Sequence, residues 1–184
     1  MCVWASAGCS EPALPRNERV SSATVPVTPP LPPLTSAATY LCRQHPGNYF
    51  VYDFNQHLIG SCKREEIGVK VLTRVVGHYK KTNKLQIDCG WTGCSQQGKE
   101  YGFGAIEKWG GGGSGDLVIE NLKQEAGTVG SKSGKPIDFD KYPVGSLLYI
   151  LPWHSCAAVH QHRKINVVEG GDEVTEEWKV VDGW

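Results

Sequence analysis

The residues of this sequence best suited to chemistry are His154 and Cys156, which flank Ser155 directly after the apolar run 147–153. In an extended segment, residues two apart point to the same face, so the imidazole and the thiolate could hold one cation together. Zinc suits this nitrogen and sulfur pair. Two protein ligands leave positions open for water or substrate, as in catalytic sites. A buried cysteine beside a strand-end histidine also occurs for packing alone, so the spacing leaves both interpretations open.

Other histidines and cysteines offer weaker patterns. Cys156 with a histidine base could be a nucleophile, but no oxyanion site or third group can be named from the sequence. Cys89 and Cys94 lie five apart, which is not zinc-finger spacing, and no second pair completes them. His160 and His162 alternate in a polar context and are expected to face solvent.

A glycine stretch at residues 110–115 formally contains the GxGxxG pattern of a phosphate-binding turn. That interpretation requires a strand before the stretch and a helix after it. The sequence indicates neither, so we expect a surface loop. No serine nucleophile elbow, Walker loop or HExxH motif is present.

Composition excludes several classes of protein. The 184 residues suffice for one ordinary domain, or for one domain and a tail. Nineteen basic residues balance 19 acidic ones, which argues against a nucleic-acid partner. No apolar run is long enough to span a membrane, and the first thirty residues lack the apolar core of a secretory signal. The odd count of 7 cysteines favours reduced thiols in the cytoplasm.

The elements that must position His154 and Cys156 follow a change of composition near residue 45. Residues 1–39 are rich in Pro, Ser, Thr and Ala and predict an extended arm without sheet or helix, in which residues 25–33 could serve as a Pro-rich ligand. Beyond it, β-branched segments bounded by turn residues predict an all-β barrel or sandwich. The predicted strands are residues 48–53, 66–77, 84–89, 117–120, 125–129, 147–151, 165–168 and 176–181.

Several segments together resemble a known family. They are His45–Asp53 followed by Gly60-Ser61-Cys62, Asp88-Cys89-Gly90-Trp91, Tyr142-Pro143-Val144-Gly145, Ile150–Cys156 and the closing Asp182-Gly183-Trp184. In this order they resemble the C-terminal domain of eukaryotic D-serine dehydratases and D-threonine aldolases, from about residue 20 to 184. His-x-Cys in place of His-x-Asp favours the dehydratase branch.

The resemblance implies an alanine-racemase-like architecture, in which a barrel that binds pyridoxal phosphate (PLP) precedes a β-rich domain. For this chain it implies a mainly β fold, with residues 1–44 as an irregular Pro-rich arm and barrel remnant and residues 45–184 as the β domain. His154 and Cys156 would be the ligands of one zinc ion, which polarises the hydroxyl of D-serine so that it leaves as water. The family's products are pyruvate and ammonia, and its partners are a second copy or a full-length member.

The sequence departs from the family where PLP would bind. All lysines lie at or after Lys63, and no motif of the imine-forming lysine is present. Residues 22–26 occupy the place of the family's phosphate-binding stretch but lack its glycine. We therefore assign no catalytic or PLP-binding residue and expect a truncated, C-terminal portion that is inactive as an isolated chain. The alternative is a non-enzymatic zinc-binding β module, or a pseudo-enzyme partner of full-length members.

Overall fold

The computed structural model describes residues 48, 51–108, 115–170 and 173–181, and the backbone of residues 3–6. The strands are β1 Val3–Ser6, β2 Val69–Tyr79, β3 Lys84–Ile87, β4 Gly104–Lys108, β5 Leu117–Leu122, β6 Gly127–Ser131, β7 Leu147–Pro152, β8 Lys164–Val168 and β9 Val174–Lys179. The helices are short: α1 Phe54–Leu58, α2 Trp91–Cys94 and α3 Ser155–His160. Within this part of the chain, no helix has the length and apolarity needed to cross a membrane.

Six strands close into an antiparallel barrel in the order β3-β6-β5-β4-β7-β2, with β2 returning to β3. Closure depends on β2, which is 11 residues long and pairs with β7 along Val71–Arg74 and with β3 from Val75 onward. Its register against β3 shifts between Val75 and Gly77, so Val76 is an extra residue in that strand. Such a bulge bends a strand and increases its twist, which barrel closure requires.

The remaining strands extend the sheet from the start of β2. β1 pairs antiparallel with β2 and parallel with β8, and β8 pairs antiparallel with β9. β9 is the last strand in this order, so it forms the outer border of the described sheet, and all six of its residues are exposed.

Two apolar clusters hold the fold together. The larger cluster fills the barrel and includes Val71, Leu85, Ile119, Val129 and Ile150, all fully buried. The smaller cluster joins Phe54, Ile67, Ala105 and Leu151, with Cys62 and Trp153 packed against it. Because Ile150 and Leu151 are adjacent on one strand, their side chains point to opposite faces. β7 therefore contributes to the barrel interior on one face and supports α1 on the other.

The predicted mainly β fold is confirmed, as are the strands at β2, β3 and β5–β9, although several begin or end a few residues away from the predicted positions. The predicted strand over residues 48–53 is wrong in its described part, because Asp53 is the N-cap of α1. β4 was missed. The expectation that residues 1–39 form no sheet is wrong at β1, while residues 7–39 lie outside the described residues.

The glycine stretch at residues 110–115 needs a partial correction. A strand, β4, does precede it, contrary to the prediction. The next described element is β5, another strand, so the requirement for a following helix remains unmet. Residues 110–114, like the closing segment 182–184, lie outside the described residues.

Candidate metal centre

The structure brings His154 and Cys156 together where β7 gives way to α3. The Nε2 atom of His154 lies 2.6 Å from the Sγ atom of Cys156. The prediction of one extended segment is wrong for the second residue: His154 is extended (φ −134°, ψ 107°) and caps α3, whereas Cys156 is inside the helix. The two donor atoms meet because the chain bends into the helix between them, not because of strand alternation.

A second segment, at the start of α1, packs against this turn. The backbone N–H of Asn55 donates to the carbonyl of Trp153 at 3.3 Å. The Ser155 hydroxyl donates to the carbonyl of Tyr52 at 2.9 Å, and the Ser155 N–H donates to Oδ2 of Asp53 at 3.3 Å. These bonds hold residues 52–55 against residues 153–155, about a hundred positions away in sequence.

Asp53 is the polar side chain that sequence reasoning missed. It is 1% exposed, and its Oδ2 lies 3.0 Å from Nδ1 of His154. Asn48 is also buried and donates from Nδ2 to the same oxygen at 2.7 Å. The available signal was local: Asp53 and Gln56 have the spacing of a capping box, which marks a helix start rather than a strand.

An aromatic group lies beside the centre. Trp153 stacks on Tyr101 with ring centroids 5.3 Å apart and an interplanar angle of 11°. The edge of Phe54 meets the same indole at 6.2 Å. Gly98 approaches the indole so closely that a Cβ on this residue would lie 2.2 Å from Cγ of Trp153. The residue before His154 is therefore held on several sides.

Electrostatics favour a metal site over a cysteine nucleophile. Burial raises the pKa of the Cys156 thiol, and the charge of Asp53 raises it further. A nucleophilic cysteine needs the opposite shift, toward thiolate at neutral pH. Asp53 does supply the third group that this alternative lacked, but the raised pKa argues against it. A bound cation would favour the thiolate form of Cys156 instead, since coordination removes the thiol proton.

The donor set fits a zinc ion. Imidazole nitrogen and thiolate sulfur are both preferred zinc ligands, and a carboxylate on the second imidazole nitrogen is the usual support of a metal-binding histidine. Among the described residues, no third His, Cys, Asp or Glu joins the pair in a set that could hold a metal ion. Two protein ligands would leave the other positions to water or substrate.

The other candidates lie apart from this centre. His160 is exposed at the end of α3, as expected. His162 is buried, contrary to prediction, and its Nε2 lies 2.8 Å from the carbonyl of Gly93. Cys89 and Cys94 are both buried, and burial raises the pKa of both thiols. Cys89 and Cys94 belong to the larger apolar cluster, and His162 joins the end of α3 to α2 through Gly93.

Residues 68–168 match the family described as "Putative serine dehydratase domain". The D-serine dehydratase of Dictyostelium discoideum is 31% identical over 176 residues, which cover 91% of this chain and 43% of that protein.

Solved structures agree in fold. D-threo-3-hydroxyaspartate dehydratase from Delftia sp. HT23 matches with a TM-score of 0.66 and 27% identity over 73% of this chain and 37% of that chain. An alanine racemase-like protein from Idiomarina loihiensis matches with a TM-score of 0.64 and 28% identity over the same shares of the two chains. The alanine-racemase-like fold is thus confirmed, and the chain spans about two-fifths of the length of these relatives.

Two variants of D-threo-3-hydroxyaspartate dehydratase also match. One carries alanine in place of a histidine, and the other carries alanine in place of a cysteine two positions later. The cysteine variant is described as a metal-free form. The spacing of these two substituted positions equals that of His154 and Cys156 in this chain.

Proposed function

This chain belongs to the D-serine dehydratase family, and we propose that it is the metal-bearing β domain of a PLP- and zinc-dependent D-serine ammonia-lyase. The observation that carries the proposal is that the Nε2 atom of His154 and the Sγ atom of Cys156 face each other, with Asp53 on the opposite imidazole nitrogen. The names of the relatives support the substrate class, a D-configured 3-hydroxy amino acid. D-serine is the substrate we propose.

His154 and Cys156 would hold the zinc ion. When bound, the ion supplies Lewis-acid polarisation of the substrate hydroxyl, so that it leaves as water. Trp153, the residue before His154, stacks on Tyr101, and this stacking helps to fix the backbone that carries His154. The two protein ligands leave room for the hydroxyl oxygen to approach the cation.

PLP does not fit the residues of this chain. All 13 lysines of the sequence lie among the described residues, and none of them is buried. Lys70 is paired with Glu107 at 2.9 Å, and Lys164 is paired with Glu177 at 2.7 Å. A lysine that forms an imine with the cofactor works in a desolvated pocket, and no lysine here has such surroundings. We therefore propose that PLP and its lysine belong to a barrel that this chain does not contain.

The proposal also specifies the domain bounds, the partner and the cellular location of this chain. Residues 45–184 would be the β domain, and residues 1–44 an arm that adds β1 to the sheet of that domain. A barrel-bearing partner would be a second copy with its barrel or a full-length family member. The described cysteines, Cys62, Cys89, Cys94 and Cys156, are all unpaired, which supports a reducing, cytoplasmic location.

The metal assignment is tested by zinc content. The purified chain is loaded with zinc, dialysed and measured beside His154→Ala and Cys156→Ala, with His160→Ala as the matched control at an exposed histidine. We expect one zinc per chain in the wild type and in the control, and loss in the other two. Equal zinc content in all four proteins would reject the assignment.

Catalysis by the isolated chain is tested by pyruvate formation. With added PLP, zinc and D-serine, we expect no pyruvate above the background of a protein-free reaction, and no visible absorbance band of PLP bound to a lysine. Zinc-dependent turnover would show that the inactivity proposed for the isolated chain is wrong.

A further inference from the structure

We infer that Asp53 is the positioning residue of this centre: it holds His154 in the tautomer that carries the proton on Nδ1 and leaves Nε2 free for the metal ion. The part of the inference that concerns metal rests on the proposed function. The part that concerns the tautomer is a property of the metal-free chain.

The surroundings of Asp53 define it as an acceptor. Its Oδ2 atom receives the Ser155 N–H at 3.3 Å and the Asn48 amide at 2.7 Å. Its Oδ1 atom receives the Gln56 N–H at 2.8 Å. Backbone N–H groups can only donate, so the carboxylate faces donors on both oxygens. The contact of 3.0 Å between Oδ2 and Nδ1 of His154 therefore needs the imidazole to donate.

That donation decides the chemistry of the other ring nitrogen. A neutral imidazole carries one proton, so a proton on Nδ1 leaves a lone pair on Nε2. Nε2 is the atom that lies 2.6 Å from Cys156 Sγ. Without metal, the thiol can donate its proton to this lone pair. A metal ion would use the same lone pair, so the hydrogen-bond direction set by Asp53 prepares the ligand.

The carboxylate is itself held in place. Asp53 forms the N-cap of α1, and its backbone N–H donates to the side-chain oxygen of Gln56 at 3.1 Å. Gln56 also donates to the Asn48 carbonyl at 3.1 Å. Since Asp53 is 1% exposed, water does not compete for its oxygens. The orientation of His154 is thus fixed by bonds that do not involve the metal.

The tautomer is measured by long-range ¹H–¹⁵N correlation spectra of the metal-free, ¹⁵N-labelled chain at about pH 8, above the ordinary imidazole pKa of about 6.5. Two histidines serve as references in the same spectrum. Nε2 of His78 lies 2.7 Å from the Tyr142 carbonyl, and Nε2 of His162 lies 2.8 Å from the Gly93 carbonyl, so both must carry the proton on Nε2. We expect the Nδ1–H pattern for His154 in the wild type.

Variants separate positioning from a structural role. In Asp53→Ala, we expect His154 to change to the Nε2–H pattern while His78 and His162 keep theirs. Asp53→Asn retains one acceptor oxygen and should keep the wild-type pattern. If the alanine variant does not fold, the wild-type spectrum still decides the inference. An Nε2–H pattern for His154 in the wild type, or an unchanged Nδ1–H pattern in a folded Asp53→Ala chain, would overturn the inference.

Zinc affinity gives the second readout, by competition with a chelator. Loss of such a supporting carboxylate weakens metal binding by about 10–100-fold, and we expect this for Asp53→Ala. Cys156→Ser should lose zinc but keep the His154 tautomer. If the wild type binds no zinc, the proposed function fails, and the tautomer still decides the inference. If Asp53→Ala binds zinc as tightly as the wild type, the inference fails and the proposed function stands.

Discussion

Gly98 packs against Trp153, the residue before His154, and its replacement by alanine should destabilise the fold for two separate reasons. The residue adopts φ 89° and ψ 22°, in the left-handed region that side chains disfavour. A Cβ would also lie 2.2 Å from Cγ and 2.3 Å from Cδ2 of Trp153. Carbon atoms do not approach so closely, so the indole would have to move.

The backbone cost and the packing cost both apply to Gly98→Ala. A non-glycine residue in the left-handed region costs about 1–2 kcal/mol. Overpacking of a filled site costs about 1–3 kcal/mol. The Trp153 ring has little freedom to move away, because Tyr101 stacks on it and Phe54 meets it at an edge. We therefore expect Gly98→Ala to reduce the free energy of unfolding by about 2–5 kcal/mol.

Gly134→Ala is the matched control. Gly134 has a similar φ of 73°, but a Cβ there would meet no atom within 4 Å. It should show only the backbone cost of about 1–2 kcal/mol. Urea unfolding followed by circular dichroism measures both variants. For a chain of this length, each kcal/mol corresponds to a midpoint shift of about 2–4 °C in thermal unfolding.

The difference between the two variants isolates the contact with Trp153. We expect Gly98→Ala to be less stable than Gly134→Ala by about 1–3 kcal/mol, the overpacking cost. We also expect it to bind zinc more weakly, because Trp153 adjoins His154. Equal destabilisation by the two substitutions would refute the packing described for this side of the centre.

Two further predictions concern the rest of the domain. Leu151→Ala should reduce the free energy of unfolding by about 2–5 kcal/mol, because Leu151 is fully buried in the cluster that contains Phe54 and Ala105. Replacement of the exposed Val144 by alanine should change it by less than about 0.5 kcal/mol. Burial lowers the pKa of His162 below its ordinary value of about 6.5. Below about pH 6.5 the unfolded chain therefore binds more protons than the folded chain. Stability should decrease as the pH is lowered through this range, by at most about 1.4 kcal/mol per pH unit. Thermal unfolding between pH 5 and 8 should show this slope, and a folded His162→Gln chain with the same slope would contradict its assignment to His162.

Sequence patterns predict much of the barrel because its strands carry their own signal. β2 alternates buried and less buried residues from Val69 to Val75, which is the pattern of a strand with one face in a core. β4 lacks this alternating pattern, because it is short and begins at Gly104. There a Cβ would lie 2.7 Å from the Leu151 carbonyl, so the glycine is explained only by the neighbouring strand.

The centre is only half predictable for a similar reason. His154 and Cys156 are close in sequence, and their residue types alone suggest a metal. Asp53 lies 101 residues from His154, and no local pattern connects them. The aromatic and β-branched residues around Val51 favour a strand by propensity, whereas the capping box of Asp53 starts a helix. Phe54, the first residue of α1, then packs with Leu151 in the smaller apolar cluster.

The central claim is that one zinc ion binds to His154 and Cys156 at the same time. X-ray absorption at the zinc edge of the loaded wild-type chain tests it most directly. We predict a first shell with one sulfur at about 2.3 Å, one imidazole nitrogen at about 2.0–2.1 Å, and oxygen or nitrogen atoms in the remaining positions. A first shell without sulfur, or with several sulfur atoms and no imidazole, would contradict the account.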